Sequence, residues 1–119
     1  MKSHAKGLHR WVSATKSSWQ GLRAGLATEA ALRQELLAVV VLLPVALLWD
    51  VSAAERALLI MSLLLVFIVE LLNTAVEVVV DRIGADFHEL SGKAKDLASA
   101  AVLFALLAAI LVWGVILWP

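Results

Sequence analysis

The chain has 119 residues, 62% of them hydrophobic, with ten basic and ten acidic side chains, no net charge and a mean hydropathy of +0.92. That composition excludes an ordinary soluble domain and implies a single small integral membrane domain, 1–119. No cysteine is present, so a thiolate metal site is excluded, and no nucleic-acid partner is expected.

Residues 1–7 are polar and expected to be loose, and His4 and His9 are read as solvated. From Leu8 an apolar stripe runs Leu8, Trp11, Thr15, Trp19, Leu22, Leu26, in steps of three and four. Arg10, Ser13, Ser17 and Gln20 form another face, with Lys16 and Arg23 nearby. Residues 8–27 therefore read as an N-terminal amphipathic helix lying in the membrane interface. A helix packed on a soluble partner is the competing reading, and it suits so apolar a chain less well. The first 30 residues hold no apolar signal-peptide core, so the first span is expected to act as an uncleaved anchor.

Thr28-Glu29 interrupts the stripe, and residues 30–49 read as the first span. Its uninterrupted apolar part starts at Leu36, which leaves Arg33, Gln34 and Glu35 at the near interface. Pro44 is expected to kink this helix or loosen its ladder, and Trp49 fits the far interfacial belt. Asp50 to Arg56 is a short polar loop. Ser52 with Glu55 matches a capping box opening the second span, 57–80.

Those twenty-four residues span about 36 Å as a helix, enough to cross a bilayer with tilt. Glu70, Asn73 and Glu77 interrupt the apolar run at i, i+3, i+7 and so share one face. An acid near a helix centre costs roughly 2.5–3.5 kcal/mol to insert. Leu would fill the same space without that cost. The face therefore reads as a functional carboxylate site turned to a protein interior or wet cavity. A hydrogen-bonded helix contact is the competing reading.

Asp81 to Asp96 is polar, with Gly84 and Gly92 as turn candidates and Ser91 as a candidate cap for a helix entering the last span. Asp81 is read as structural, capping backbone or pairing with Arg82. Residues 97–118 carry no charge. Ala98, Ala101, Ala105 and Ala108 form a small-residue face suited to close helix packing, and Trp113 and Trp118 read as interfacial anchors. Six Lys and Arg precede the first span's apolar core, three lie in 81–96, and only Arg56 lies in the 50–56 loop. The positive-inside rule puts the N-terminus and 81–96 in the cytoplasm and the C-terminus outside. Glu29, Glu77, Lys95 and Asp96 then gather at the cytoplasmic side, with Glu70 about 10 Å deeper than Glu77. Acids grouped with Lys and Asn there suit a divalent cation and phosphate, since Mg²⁺ takes one or two carboxylates plus phosphate oxygens. No glycine-rich phosphate loop is present.

Glu70-Leu-Leu-Asn-Thr-Ala-Val-Glu77, followed by Val80-Asp81, resembles the signature of the bacterial diacylglycerol kinases. Ser18-Trp-Gln-Gly-Leu-Arg23, Glu29-Ala-Ala-Leu-Arg-Gln-Glu35 and His88-Glu-Leu-Ser-Gly-Lys-Ala-Lys-Asp96 resemble that family too. Thr28 departs from the pattern, in which Asn often precedes the glutamate, and Ser17 stands where relatives are often aromatic. The resemblance implies an all-α inner-membrane homotrimer of three-span subunits with a surface helix and sites shared between chains. It implies transfer of the γ-phosphoryl of MgATP to the primary hydroxyl of diacylglycerol. Glu70 would be the general base and Asn73 would orient the groups around it. Glu29 and Glu77 would hold Mg²⁺. Arg10, Ser17, Glu29, Glu77, Asp86, Phe87, His88, Lys95 and Asp96 would meet the nucleotide. Arg10, Trp19, Arg23, Ala31, Gln34, Glu35, Glu70, Ser99 and Trp113 would meet the lipid. Lys95 as a snorkelling interface lysine and His88 as a plain loop residue remain open.

A polyprenol such as undecaprenol is the competing acceptor. A small proton-coupled exporter with one intramembrane Glu per subunit is a different class; such exporters typically show four spans rather than three. A membrane scaffold without chemistry gives no reason for the Glu70–Asn73–Glu77 face. The orientation has a direct check. Single cysteines replacing Lys6, Ala53 and Ala85 should label inside, outside and inside with an impermeant thiol reagent, and labelling of Ala85→Cys from outside intact cells would overturn the map.

Overall fold

The computed structural model of the chain describes residues 6–119, and these are all-helical apart from short links. The expected loose segment at 1–7 lies mostly outside the described residues, as does His4, while positions 6 and 7 are helical. Helix α1 is Lys6–Thr28, α2 is Ala30–Leu48, α3 is Ala53–Ile83 and α4 is Glu89–Leu117. The last three are long and apolar enough to cross a membrane. They pack side by side, and with α1 the described chain forms a slab of 51 × 44 × 23 Å. Twenty-three ångströms is about two helix diameters, so a single chain has little interior.

Each helix end shows why the chain turns there. Ser52 Oγ accepts from the Glu55 N–H at 3.1 Å, and the Ser52 N–H donates to Glu55 Oε1 at 2.9 Å. That reciprocal pair is the expected capping box, and it starts α3. Arg56 then reaches back over the link. Its Nη1 donates to the carbonyls of Ala46 at 2.8 Å, Leu47 at 2.7 Å and Trp49 at 3.1 Å, and its Nη2 to Val51 at 3.3 Å. These are the acceptors that a helix terminus leaves orphaned, here closing α2. Helix α4 starts earlier than Ser91, because His88 caps it: His88 Nδ1 accepts from the Leu90 N–H at 3.0 Å. Gly92 is helical rather than a turn, and Gly84 ends α3. The polar stretch 81–96 is thus mostly helix, with only residues 84–88 left as a link. Pro44 does not break α2, which is helical on both sides of it.

Helix α3 is the centre of the packing. Leu59, Ser62, Leu63 and Val66 are buried along one face, against Ala46 of α2 and Ala105 of α4. Of the expected alanine face of α4, Ala105 is buried and Ala98 and Ala108 are half-buried, while Ala101 is exposed; the covered line that runs straightest is Ala98, Val102, Ala105, Ala109. Steps of four and three keep those four on one stripe, and small residues there let α4 lie close on α3. Trp113 is also more than an interfacial anchor. Its indole N–H donates to the buried Ser62 Oγ at 2.9 Å, and Ser62 donates to the Leu59 carbonyl at 2.7 Å. A polar pair inside the apolar layer ties α4 to α3 and satisfies both side chains.

The opposite face of α3 is exposed among the described residues, although Ala75 and Val79 at its later end line a groove shared with α1. Leu58, Met61, Leu65, Ile68, Leu72 and Val79 are exposed there, and Ala75 with them. Their spacing of three and four is that of a heptad seam. Helix α1 is tied down only near its end, and Leu8, Trp11, Val12 and Trp19 are exposed along it.

The Arg56 clamp gives a stability prediction. Arg56→Ala removes all four hydrogen bonds at the end of α2 and should destabilise the protein by about 2–3 kcal/mol. Arg56→Lys should recover part of it. Reversible unfolding in mixed micelles reads the difference, and an Arg56→Ala midpoint equal to wild type would remove the clamp from the stability of the fold.

Candidate functional site

Glu70, Asn73 and Glu77 lie on the α3 face turned toward the packed side, in line with Leu63 and Val66. All three are half-buried. Glu35 of α2 and Glu77 are each close enough to Glu70 to repel it. Three carboxylates from two helices therefore share one region of a membrane-spanning slab. Like charges in a medium of low dielectric repel strongly, so the region calls for a proton or a cation. Asn73 Oδ1 is shielded from solvent and has no hydrogen-bond partner. A shielded acceptor without a donor costs about 1–3 kcal/mol, and a donor on a ligand or neighbouring group would relieve it.

Lys95 supplies positive charge near the start of α4, beside the end of α3. Its Nζ lies 2.9 Å from Asp81 Oδ1, with side-chain exposures of 43% and 69%, and it also feels Glu77. Asp81 thus pairs with Lys95, not with Arg82 as expected from sequence. An ion pair this exposed contributes little to stability, because water screens it. The ammonium is therefore easily exchanged from Asp81 to a better anion such as phosphate.

Asp86, Phe87 and His88 come from the 84–88 link, and with Asp81, Ser91 and Lys95 they line a hollow of about 190 Å³. Phe87 is 91% exposed, an aromatic face open to a planar ligand. His88 is not a plain loop residue, since its ring caps α4. Asp96 lies on the other side of α4, where it shares a shallow hollow with Phe87, Glu89 and Lys93. Arg10 and Ser17 are exposed on α1, and among the described residues no hydrogen bond joins either to the rest of the chain.

Glu29 is the single residue between α1 and α2. It occupies the N-cap position of α2, yet its side chain makes no capping bond; Thr28 Oγ1 lies 3.3 Å from its Oε2. Thr28 and Leu32 line one side of a groove of about 620 Å³ whose other side includes Thr74 and Val78. Glu29 and Glu77 are the sequence neighbours of those walls. Among the described residues no three Asp, Glu or His side chains come together as a ready-made metal cage. Neither Glu29 nor Glu77 lines that groove itself; two carboxylates completed by waters and phosphate oxygens are a donor set of the kind a hard dication takes.

Glu35 and Trp113 stand in a second groove of about 260 Å³, whose walls include Leu42, Leu63, Val66 and Leu106. It is apolar except at the Glu35 end, beside Glu70. Trp19, Arg23, Ala31, Gln34 and Ser99 are exposed and lie outside that groove. Sequence reasoning missed Ser62 and Arg33. Ser62 was visible as a lone hydroxyl in an apolar run, but its partner is 51 residues away.

The family model described as prokaryotic diacylglycerol kinase matches residues 16–117. A diacylglycerol kinase of Escherichia coli (strain K12) is 51% identical over 118 residues, covering 99% of this chain and 97% of the relative. One of Pseudomonas aeruginosa is 50% identical over 111 residues, covering 93% and 90%. One of Haemophilus influenzae is 46% identical over 112 residues, covering 94% and 95%. Similarity at that level over nearly the whole length shows that the chain belongs to the prokaryotic diacylglycerol kinase family.

Proposed function

We propose that the chain is a membrane lipid kinase that transfers the γ-phosphoryl group of ATP to the primary hydroxyl of diacylglycerol, giving phosphatidic acid and ADP. The observation that carries this reading is the Glu70–Asn73–Glu77 face within a membrane span, crowded by Glu35 and approached by Lys95 from the cytoplasmic end. Family membership supports the same activity.

Glu70 accepts the proton of the lipid hydroxyl as its oxygen attacks the γ-phosphorus and the bond to the β-phosphate oxygen breaks. Base catalysis of this kind contributes roughly 10²–10⁴-fold. Asn73 orients the groups around Glu70, and its unpartnered Oδ1 is free to accept a donor there. Glu29 and Glu77 would hold Mg²⁺, which when bound neutralises the phosphate charge. Lys95 leaves Asp81 for the phosphates, and Asp86, Phe87, His88 and Asp96 flank the nucleotide. Arg10 and Ser17 reach it from α1. The lipid lies along the groove between Glu35 and Trp113 with its hydroxyl toward Glu70, and meets Trp19, Arg23, Ala31, Gln34 and Ser99 at the interface.

A homotrimer in the bacterial inner membrane completes the reading, with α1 at the cytoplasmic interface and the C-terminus outside. The slab is too thin to enclose its own polar site, and the exposed heptad seam of α3 supplies the face on which copies meet. That seam replaces the alanine face of α4 as the reason for assembly.

Two outcomes check this. Glu70→Gln keeps shape and removes the base, so turnover should fall by about 10²-fold or more while nucleotide binding persists. Steady-state labelling of a panel of lipid alcohols, including diacylglycerol and undecaprenol, reads it. Wild-type labelling of undecaprenol alone would change the acceptor, and labelling of no lipid would sink the kinase. For the metal, Glu77→Gln should lower activity by at least about tenfold at ordinary Mg²⁺ while fold and oligomer size persist. Near-normal turnover would remove Glu77 from the metal site.

A further inference from the structure

Helix α1 is joined to the rest of the chain by an elbow, and Arg33 is what holds the elbow shut. Only Glu29 lies outside the two helices there. The backbone continues through it, with Glu29 N–H donating to the Gly25 carbonyl at 2.8 Å and Arg33 N–H to the Glu29 carbonyl at 3.3 Å. The last carbonyls of α1 are orphaned by the turn. Arg33 Nη1 donates to two of them, Leu26 at 2.8 Å and Ala27 at 3.3 Å. A cation at a helix carboxyl end is favoured by charge as well as by hydrogen bonding. Leu32, 0% exposed, packs on the same corner. A Cβ at Gly25 would lie only 2.7 Å from Leu32 Cδ1, so a larger residue there must displace the buried Leu32 side chain from the corner.

This corner decides where two parts of the site point. The Glu29 carboxylate makes no capping bond and accepts only the 3.3 Å hydrogen bond of its neighbour Thr28, which moves with the same elbow. Arg10 lies 19 residues up α1, about 28 Å away along the axis, and a change of roughly 10° at the elbow would move it by about 5 Å. Side-chain hydrogen bonds elsewhere on α1, from Thr15 and Ser18, stay within that helix and offer no second tether.

We infer that Arg33 is a positioning residue for the metal and nucleotide: by capping α1 it holds the elbow at the angle that sets the direction of Glu29 and the reach of Arg10. Arg33 touches neither ligand in this role. The inference rests on the reading of Glu29 as a metal ligand, and the experiment separates the two.

The full chain in bilayers is used, with Mn²⁺ as probe in the presence of a non-hydrolysable ATP analogue, and a spin label on Ser13→Cys of α1 reports elbow motion. Arg33→Met keeps the stem and removes the donors. It should weaken Mn²⁺ binding and raise KM for MgATP by about tenfold, with a smaller fall in kcat, and the Ser13 label should become more mobile. Arg33→Lys should restore most of the affinity. Gly25→Val, with Arg33 intact, should reproduce the loss by forcing the corner open. If Arg33→Met lowers only the melting temperature and leaves Mn²⁺ affinity unchanged, the inference fails. It also fails if affinity falls while the label stays as immobile as in wild type, because Arg33 then touches the ligand itself. Should Arg33→Met not fold, full Mn²⁺ affinity in Gly25→Val overturns the inference. Glu29→Gln is the control: unchanged Mn²⁺ affinity there sinks the metal reading of Glu29, whatever the elbow does.

Discussion

Burial of three carboxylates, Glu35, Glu70 and Glu77, within membrane-spanning helices is the constraint on which the arrangement turns. Each lies where hydrocarbon would be cheaper, and each is half-buried rather than turned to lipid. A chain that holds them together stores a field that favours protons, dications and the cationic end of Lys95. A chain that let α2 drift from α3 would relax that field and lose the site. The packing of Leu59, Leu63, Val66 and Ala46 is therefore part of the electrostatics, because it fixes how close the carboxylates stand.

Backbone satisfaction is the second constraint. In lipid, an unpaired carbonyl or N–H at a helix end has no water to turn to. The chain answers with side chains at every corner: Arg33 on α1, Arg56 on α2, Ser52 with Glu55 on α3, and His88 on α4. Two of these are arginines, whose several donors serve more than one carbonyl from one planar group. Tight corners leave links of only a few residues, which makes the helix angles well defined. Well-defined angles are what a site assembled from four helices requires.

The proposed assembly rests on thickness. A slab of 23 Å cannot screen three carboxylates from lipid on both sides. The face of α3 opposite the carboxylates is apolar, regular and exposed, the kind of seam that would pack on a second copy, while α2 and α4 cover its other side. The positions of Arg10 and Ser17, exposed and unattached within one chain, agree with a site that draws on more than one copy.

The sequence by itself determined the class of molecule, three apolar helices, the α3 capping box and the face carrying Glu70, Asn73 and Glu77. These are local or periodic properties: helical spacing and hydropathy need only neighbours within a few turns. Only the tertiary structure decided that Lys95 pairs with Asp81, that Ser62 receives the Trp113 N–H, that His88 rather than Ser91 starts α4, and that Glu35 stands against Glu70. It also decided which stripe of α4 faces α3 and that the free seam belongs to α3. Those outcomes join residues far apart in the chain or choose between nearly equivalent faces. An all-round apolar helix carries no amphipathic pattern to mark its buried side, so its orientation is set by packing and by the few polar groups that must find partners.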